Sequence, residues 1–227
     1  MRKYIVETHL HTMETSGCAK VPAADIPALY KKKGYDVLVV TDHYAPYYFY
    51  KREEKTWEEC VDDYLQGYRI LKNKAEEIAI TAVLGMELTF ESNFADYLVY
   101  GITEQFLYEN PRLYRLNVKE FSKVARANKL YFSQAHPFRQ NMDRVDMDCL
   151  DGLEAINANP RSESNNAVAL RFAKKNNLIM TSGSDFHQLV DLATGGIVVD
   201  KEITSSHELA DYLLDRSNHV ELMGGAG

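Results

Sequence analysis

The chain of 227 residues is 45% hydrophobic and 26% charged, with 12 Gly and 6 Pro, a composition that excludes disorder, collagen-like repeats and coiled coil. Its 26 Lys and Arg against 33 Asp and Glu leave a net charge of −7, and no basic block offers a surface for bulk nucleic acid or anionic membrane. The three cysteines, Cys18, Cys60 and Cys149, are odd in number and widely spaced, which fits neither a disulfide framework nor a paired-cysteine zinc site.

Residues 1–7 lack the apolar core of a signal peptide. The longest uncharged apolar stretch, Ile78 to Met86, is too short to span a bilayer. A cytoplasmic protein without a membrane partner is expected. Tyr4–Thr8 reads as a first strand, and Pro22–Lys33 as a helix stopped by Gly34. Val37–Val40 is an unbroken apolar run, as in a strand buried on both faces. Thr56 caps a long helix to about Ile78, whose apolar positions Trp57, Cys60, Val61, Tyr64, Leu65, Tyr68, Leu71 and Ala75 keep helical spacing.

Strands are expected at Ile80–Leu84 and Asp96–Tyr100, then a helix capped by Asn117. Leu130–Ser133 and Gly152–Ile156 are further strands, followed by a helix over Ser162–Asn176. Leu178–Thr181 and Gly196–Val199 are strands, Ser206–Leu214 a helix, and 219–222 a final strand. Seven to nine strands alternating with helices imply a mostly parallel sheet with right-handed crossovers. A barrel and an open doubly wound sheet both satisfy this pattern. No linker or repeat divides the chain, so residues 1–227 are read as a single domain, with Gly224–Gly227 a frayed end.

Acids and histidines collect at the carboxyl ends of these strands. His9 and His11 follow the first, Asp42 and His43 the second, Glu87 the third, His136 a later one, and Asp185 and His187 the strand at Leu178–Thr181. Parallel α/β folds build their sites at such ends. Five of the seven histidines lie there. Imidazole with carboxylate suits zinc, manganese or iron, and magnesium or calcium less well. So many candidate ligands exceed the needs of one catalytic zinc, so two or three ions are expected. Ions about 3.5–4 Å apart suit hydrolysis of a phosphoester. Asp42 is read as a residue that orients His43 rather than binding metal.

The motifs His9-Leu10-His11-Thr12, Thr41-Asp42-His43, Gly85-Met86-Glu87, Ala135-His136-Pro137 and Gly183-Ser184-Asp185-Phe186-His187, in this order, resemble the PHP (polymerase and histidinol phosphatase) family. The resemblance spans residues 9–187. It implies an α/β fold, a distorted (β/α)7 TIM-like barrel with a trinuclear metal site at the carboxyl ends of its strands, and phosphoesterase activity. By resemblance, His9, His11, Glu87 and Asp185 hold one ion. Glu87 bridges to a second held also by His136, and His43 and His187 help hold a third. The family often has Ser-Asp-Gly shortly after His-x-His-Thr, its Asp a further ligand. Here Thr15-Ser16-Gly17 stands there, and Glu14 is the candidate substitute. Many relatives carry a histidine where this chain has Asp96 or its neighbour.

Arg139 follows His136-Pro137-Phe138 and is positioned to grip a phosphate bidentately; a surface ion pair is its other reading. Arg161 and Asn157 are further candidate substrate contacts. The aromatic run Tyr44–Arg52 is either a lid that stacks on a ring or, ahead of that, a packing element against the helix after Thr56. The leading expectation is a metal-dependent phosphoesterase acting on a small phosphomonoester or nucleotide phosphate through a metal-bound hydroxide. His136, Asp185 and Arg139 are its catalytic residues, and no stable nucleic-acid partner is expected. The alternatives are an amidohydrolase-like hydrolase of a carbon–nitrogen or ester bond and a non-catalytic metal-binding module. The missing lysine at the ligand-bearing strand ends argues against the first.

Overall fold

The structure, a computed structural model, describes residues 2–143 and 147–225. The last two residues of the expected frayed tail lie outside that range. Strand β1 (Tyr4–Leu10) leads through a loop to α1 (Ile26–Lys32) and β2 (Val37–Val40). A two-residue β3 (His43–Tyr44) and a short α2 (Pro46–Tyr50) follow, then the long α3 (Trp57–Glu77). The Thr56 hydroxyl accepts from the Glu59 N–H while the Glu59 carboxylate accepts from the Thr56 N–H, which fixes where α3 begins. Next come β4 (Thr81–Thr89), β5 (Asp96–Tyr100), α4 (Glu104–Glu109) and α5 (Val118–Ala127), the last capped by the same reciprocal pair, Asn117 with Glu120. The chain ends in β6 (Tyr131–Gln134), β7 (Gly152–Asn157), α6 (Asn166–Lys175), β8 (Ile179–Gly183), β9 (Gly196–Val199), α7 (Ser206–Leu214) and β10 (Glu221–Met223).

The strands join in the order β10-β9-β1-β2-β4-β5-β6-β7-β8, with β3 paired to β4. The sheet curls until its far side returns to β1. There Thr8 Oγ1 donates to the Ser182 carbonyl at 2.7 Å, and a parallel bridge joins Leu10 to Phe186. The result is a nearly closed barrel. It differs from seven parallel β/α units in two places. The short connection from β4 to β5 permits a hairpin, so β5 runs antiparallel to β4 and β6. Strand β9 likewise runs antiparallel to β1 and β10. All other neighbours pair parallel, so β1, β2, β4, β6, β7 and β8 end at one rim.

The aromatic run resolves largely in favour of packing. Tyr44, Tyr48 and Phe49 are buried, and Phe49 stacks on Tyr114 at 5.2 Å and on Trp57 at 5.3 Å between ring centroids. Tyr47 and Tyr50 are exposed, and the Tyr47 ring lies 6.4 Å from that of His43. Two apolar clusters flank the sheet. The larger gathers α1, α3 and α5; the smaller lies under α7. Among the described residues no helix is long and apolar enough to cross a membrane.

Candidate metal centre

The rim formed by the strand ends holds His9, His11, His43, Glu87, Asp96, His136, Asp185 and His187. Of the predicted residues, His43 opens the short β3 and Asn157 closes β7, while two others lie well inside strands rather than just past them. His9 is within β1 and Glu87 within β4, because both strands run two to five residues beyond their sequence-based limits. His136 and Asp185 sit in left-handed backbone, at φ +28° and +51°. Non-glycine residues pay strain there, and such strain concentrates at functional sites. It turns both side chains back over the barrel mouth.

Glu87 is the centre of the cluster. One carboxylate oxygen lies 3.1 Å from His136 Nε2 and 3.3 Å from His9 Nε2. The other lies 2.7 Å from His43 Nδ1 and 3.5 Å from His11 Nε2. Asp185 Oδ1 stands 3.6 Å from His9 Nε2, 3.5 Å from His11 Nε2 and 3.3 Å from His187 Nδ1. Burial pushes the Glu87 carboxyl upward, but the facing His9 and His43 overcome it and hold it well below the usual carboxylate range. Burial and the neighbouring His187 and His43 push His11 well below the ordinary histidine value.

Among the described residues, four groups of side chains bring ligand atoms within 4.8 Å of one another: His9 with His11 and Glu87; His9 with His136 and Asp185; Glu87 with Asp96 and His136; His11 with His43 and His187. The residues fit divalent ions on a further ground. His9 Nε2, His11 Nε2, His136 Nδ1 and Glu87 Oε2 are buried without a hydrogen-bond partner. Unsatisfied buried polar atoms are costly, and a cation facing them removes that cost.

Asp96 shows why the antiparallel β5 matters. Its first residue, not its last, reaches this rim, and Asp96 Oδ2 lies 4.0 Å from His136 Nε2. A search of strand carboxyl ends passes over it. The Asp96 position was singled out only by the family resemblance, and Glu154 was missed altogether. Its Oε1 lies 2.8 Å from His9 Nδ1, and its Oε2 accepts from the His136 N–H and from Asn157 Nδ2, both at 2.9 Å. Glu7, two residues before His9, accepts from the His9 and Ser184 N–H groups at 3.0 Å and from the Tyr30 hydroxyl at 2.9 Å. Burial raises its carboxyl to about 7, against those hydrogen bonds. The signal for both was available: an acid inside an otherwise apolar strand must be paired.

Asp42 accepts from the Thr12 N–H, the Thr12 hydroxyl and the Ser16 hydroxyl at 2.7, 2.7 and 2.6 Å. It therefore fixes the loop after His11 rather than the His43 ring. Burial pushes it up to about 6, with the Ser16 and Thr12 hydrogen bonds opposing. Ser16 Oγ in turn lies 3.3 Å from His11 Nδ1 and accepts from the His43 N–H at 3.1 Å.

Three predicted residues are not part of the cluster. Glu14 turns away, its carboxylate accepting from the Ala23 N–H at 3.0 Å, because that loop's backbone N–H needs an acceptor. Arg161 spends its guanidinium on a two-pronged pair with Asp191, at 2.8 and 2.9 Å. Asn157 is buried and bonds Glu154 and Asp185, so it orders the acids rather than facing the mouth. Arg139 does reach the rim: its Nη2 donates to Asp185 Oδ2 at 2.9 Å and to Asn157 at 3.0 Å. Cys18 lies at the outer edge, Sγ 3.3 Å from His43 Nε2. Burial raises its thiol, but hydrogen bonds with His187 and His43 bring it down to about 6.

Residues 163–218 match the family described as PHP-associated. No curated protein matches the chain. Among solved structures, PsfC from Pseudomonas syringae PB-5123 is similar at 16% identity and TM-score 0.69, covering 100% of this chain and 93% of its own. A two-domain Bacteroides vulgatus protein described as containing a predicted PHP-like metal-dependent phosphoesterase aligns at 16% identity and TM-score 0.65, over 98% of this chain and 65% of that one. The lesion-specific endonuclease PfuEndoQ from Pyrococcus furiosus aligns at 14% and 0.63, over 96% of this chain and 58% of its own. At these identities the likeness is one of fold.

Proposed function

We propose that this protein is a PHP-type metal-dependent phosphoesterase acting on a small phosphomonoester or nucleotide phosphate, a reading supported by its fold likeness and by its PHP-associated segment. The observation that carries the reading is the buried Glu87, with both oxygens faced by imidazoles, beside the buried His9 Nε2, His11 Nε2 and His136 Nδ1 that have no hydrogen-bond partner. His9, His11, Glu87 and Asp185 would hold one ion, Glu87, Asp96 and His136 a second, and His43 and His187 a third. Bound ions of this kind act as Lewis acids on a phosphoryl oxygen and bring the pKa of water near 7. Zinc, manganese and iron suit the donors better than magnesium.

The protein's own part is positioning and charge. Arg139 is held to Asp185 by one nitrogen and is partly exposed at the mouth, where a guanidinium grips phosphate oxygens. Asn157 and Glu154 hold Asp185 and His9 in place behind the cluster. Such bracing keeps a charged substrate and its ligands in one geometry. The acidic net charge weighs against long nucleic acid. The fold alone does not decide this, since a DNA-lesion endonuclease shares it.

The test is phosphate release from a panel of phosphomonoesters, nucleotides and short oligonucleotides, with manganese or zinc and again with chelator. Metal-dependent release from the small esters supports the reading. Cleavage of the oligonucleotides alone moves the substrate to nucleic acid. No hydrolysis by fully metal-loaded protein refutes it.

A further inference from the structure

We infer that Cys18 supplies a thiolate ligand to an ion shared with His43 and His187, an assignment that rests on the metal reading above. The loop places the residue with care. The Ala19 N–H donates to the Ser16 carbonyl at 2.8 Å, closing a turn around Cys18. The Lys20 N–H then donates to the His187 carbonyl at 2.7 Å, which pins the turn against the end of the His187 segment. Cys18 Sγ consequently lies 3.3 Å from His43 Nε2, and the His43 and His187 ring centroids are 5.8 Å apart.

That separation is close to what metal sharing requires. Zinc–sulfur and zinc–nitrogen bonds of about 2.3 and 2.0 Å at a tetrahedral angle set the two donors roughly 3.5 Å apart. A second observation points to a ligand at the same place. Ligand atoms of His11, His43 and His187 lie within 4.8 Å of one another, and the fully buried His11 Nε2, which has no hydrogen-bond partner, is here given to this ion in place of the first. The carboxylates that face these rings, Glu87 and Asp185, are the ones given to the first ion above, so an outer ion at His43 and His187 has no anionic ligand to itself. Ser16 stands where the expected carboxylate would be and gives its hydroxyl to Asp42. Glu14 is committed to the Ala23 N–H. Cys18 is the remaining anionic donor of this loop at the three rings. A thiolate there biases the outer position towards zinc, cobalt or iron over magnesium and calcium.

The test is cobalt(II) added alone to the metal-free chain, read by absorption and by metal count. A near-ultraviolet sulfur-to-cobalt charge-transfer band is expected in the native protein. It should vanish in Cys18→Ser and Cys18→Ala with the loss of one ion per chain, while circular dichroism stays unchanged. A cobalt-saturated native protein without the band, or a band that survives in Cys18→Ala, overturns the thiolate and leaves the other sites standing. Failure of the native chain to bind any cobalt overturns the metal reading and this assignment together.

Discussion

His9 Nδ1 lies 2.8 Å from Glu154 Oε1, and both side chains are fully buried. A carboxylate on the inner ring nitrogen fixes the tautomer so that Nε2 presents a lone pair to the cluster, and it strengthens that nitrogen as a donor. The same carboxylate anchors the backbone of His136 through its N–H. Glu154→Gln preserves shape but removes the charge behind His9. Metal affinity should weaken about 10–100-fold with an unchanged circular dichroism spectrum, the range typical of such supporting residues. Competition with a chelator of known affinity measures it, and an unaltered affinity would show that Glu154 is only a packing residue.

Asp96 enters the rim from the amino end of its strand, next to Glu87 and His136. Asp96→Asn should lower the number of tightly held ions by one and leave those at His9 and Asp185 in place. Mass-spectrometric metal counting on desalted protein reads this directly. An unchanged count places Asp96 outside the metal set.

Much of this was legible in the sequence because strand ends are easy to locate. The apolar runs of β2 and β9 gave their limits to the residue, and the caps at Thr56 and Asn117 gave the starts of α3 and α5. His9, His11, His43, Glu87, His136, Asp185 and His187 converge on one rim as their order suggested. What was not legible depends on chain direction or on loop conformation. Asp96 belongs to the site only because β5 runs backwards. Cys18 reaches His43 only because a turn at Ser16 brings it there. Glu14, nearer to His11 in sequence, is drawn to a backbone N–H that no spacing rule reveals.

Helix α3 approaches the loop after His11 at Gly67. A Cβ there would stand 1.9 Å from Thr12 Oγ1 and 2.9 Å from Thr15 Oγ1, and the Gly67 N–H donates to Thr15 Oγ1 at 3.2 Å. Gly67→Ala should cost about 1–3 kcal/mol through overpacking. Urea unfolding of the metal-free protein is the check. Because Thr12 is held by Asp42, metal affinity should fall in the same variant. A stable variant with native affinity would mean that helix and loop separate freely.

Glu7 gives a pH signature. Its carboxyl is raised from 4.5 to about 7 by burial, so the folded chain holds the proton more tightly than the unfolded one. The stability this adds is complete below pH 4.5 and is lost as pH rises through about 7. At 1.36 kcal/mol for each pH unit, the loss is at most about 3 kcal/mol. In metal-free protein, stability relative to Glu7→Gln should therefore decline across this window. Curves that run parallel from pH 4.5 to 7 would contradict it.

The most direct test of the whole account is the number of divalent ions that one chain retains after saturation with zinc or manganese and removal of the excess. The account predicts two or three in the native protein and a marked fall in Glu87→Ala, since that carboxylate faces four of the five clustered imidazoles. A folded native chain that retains none would contradict it.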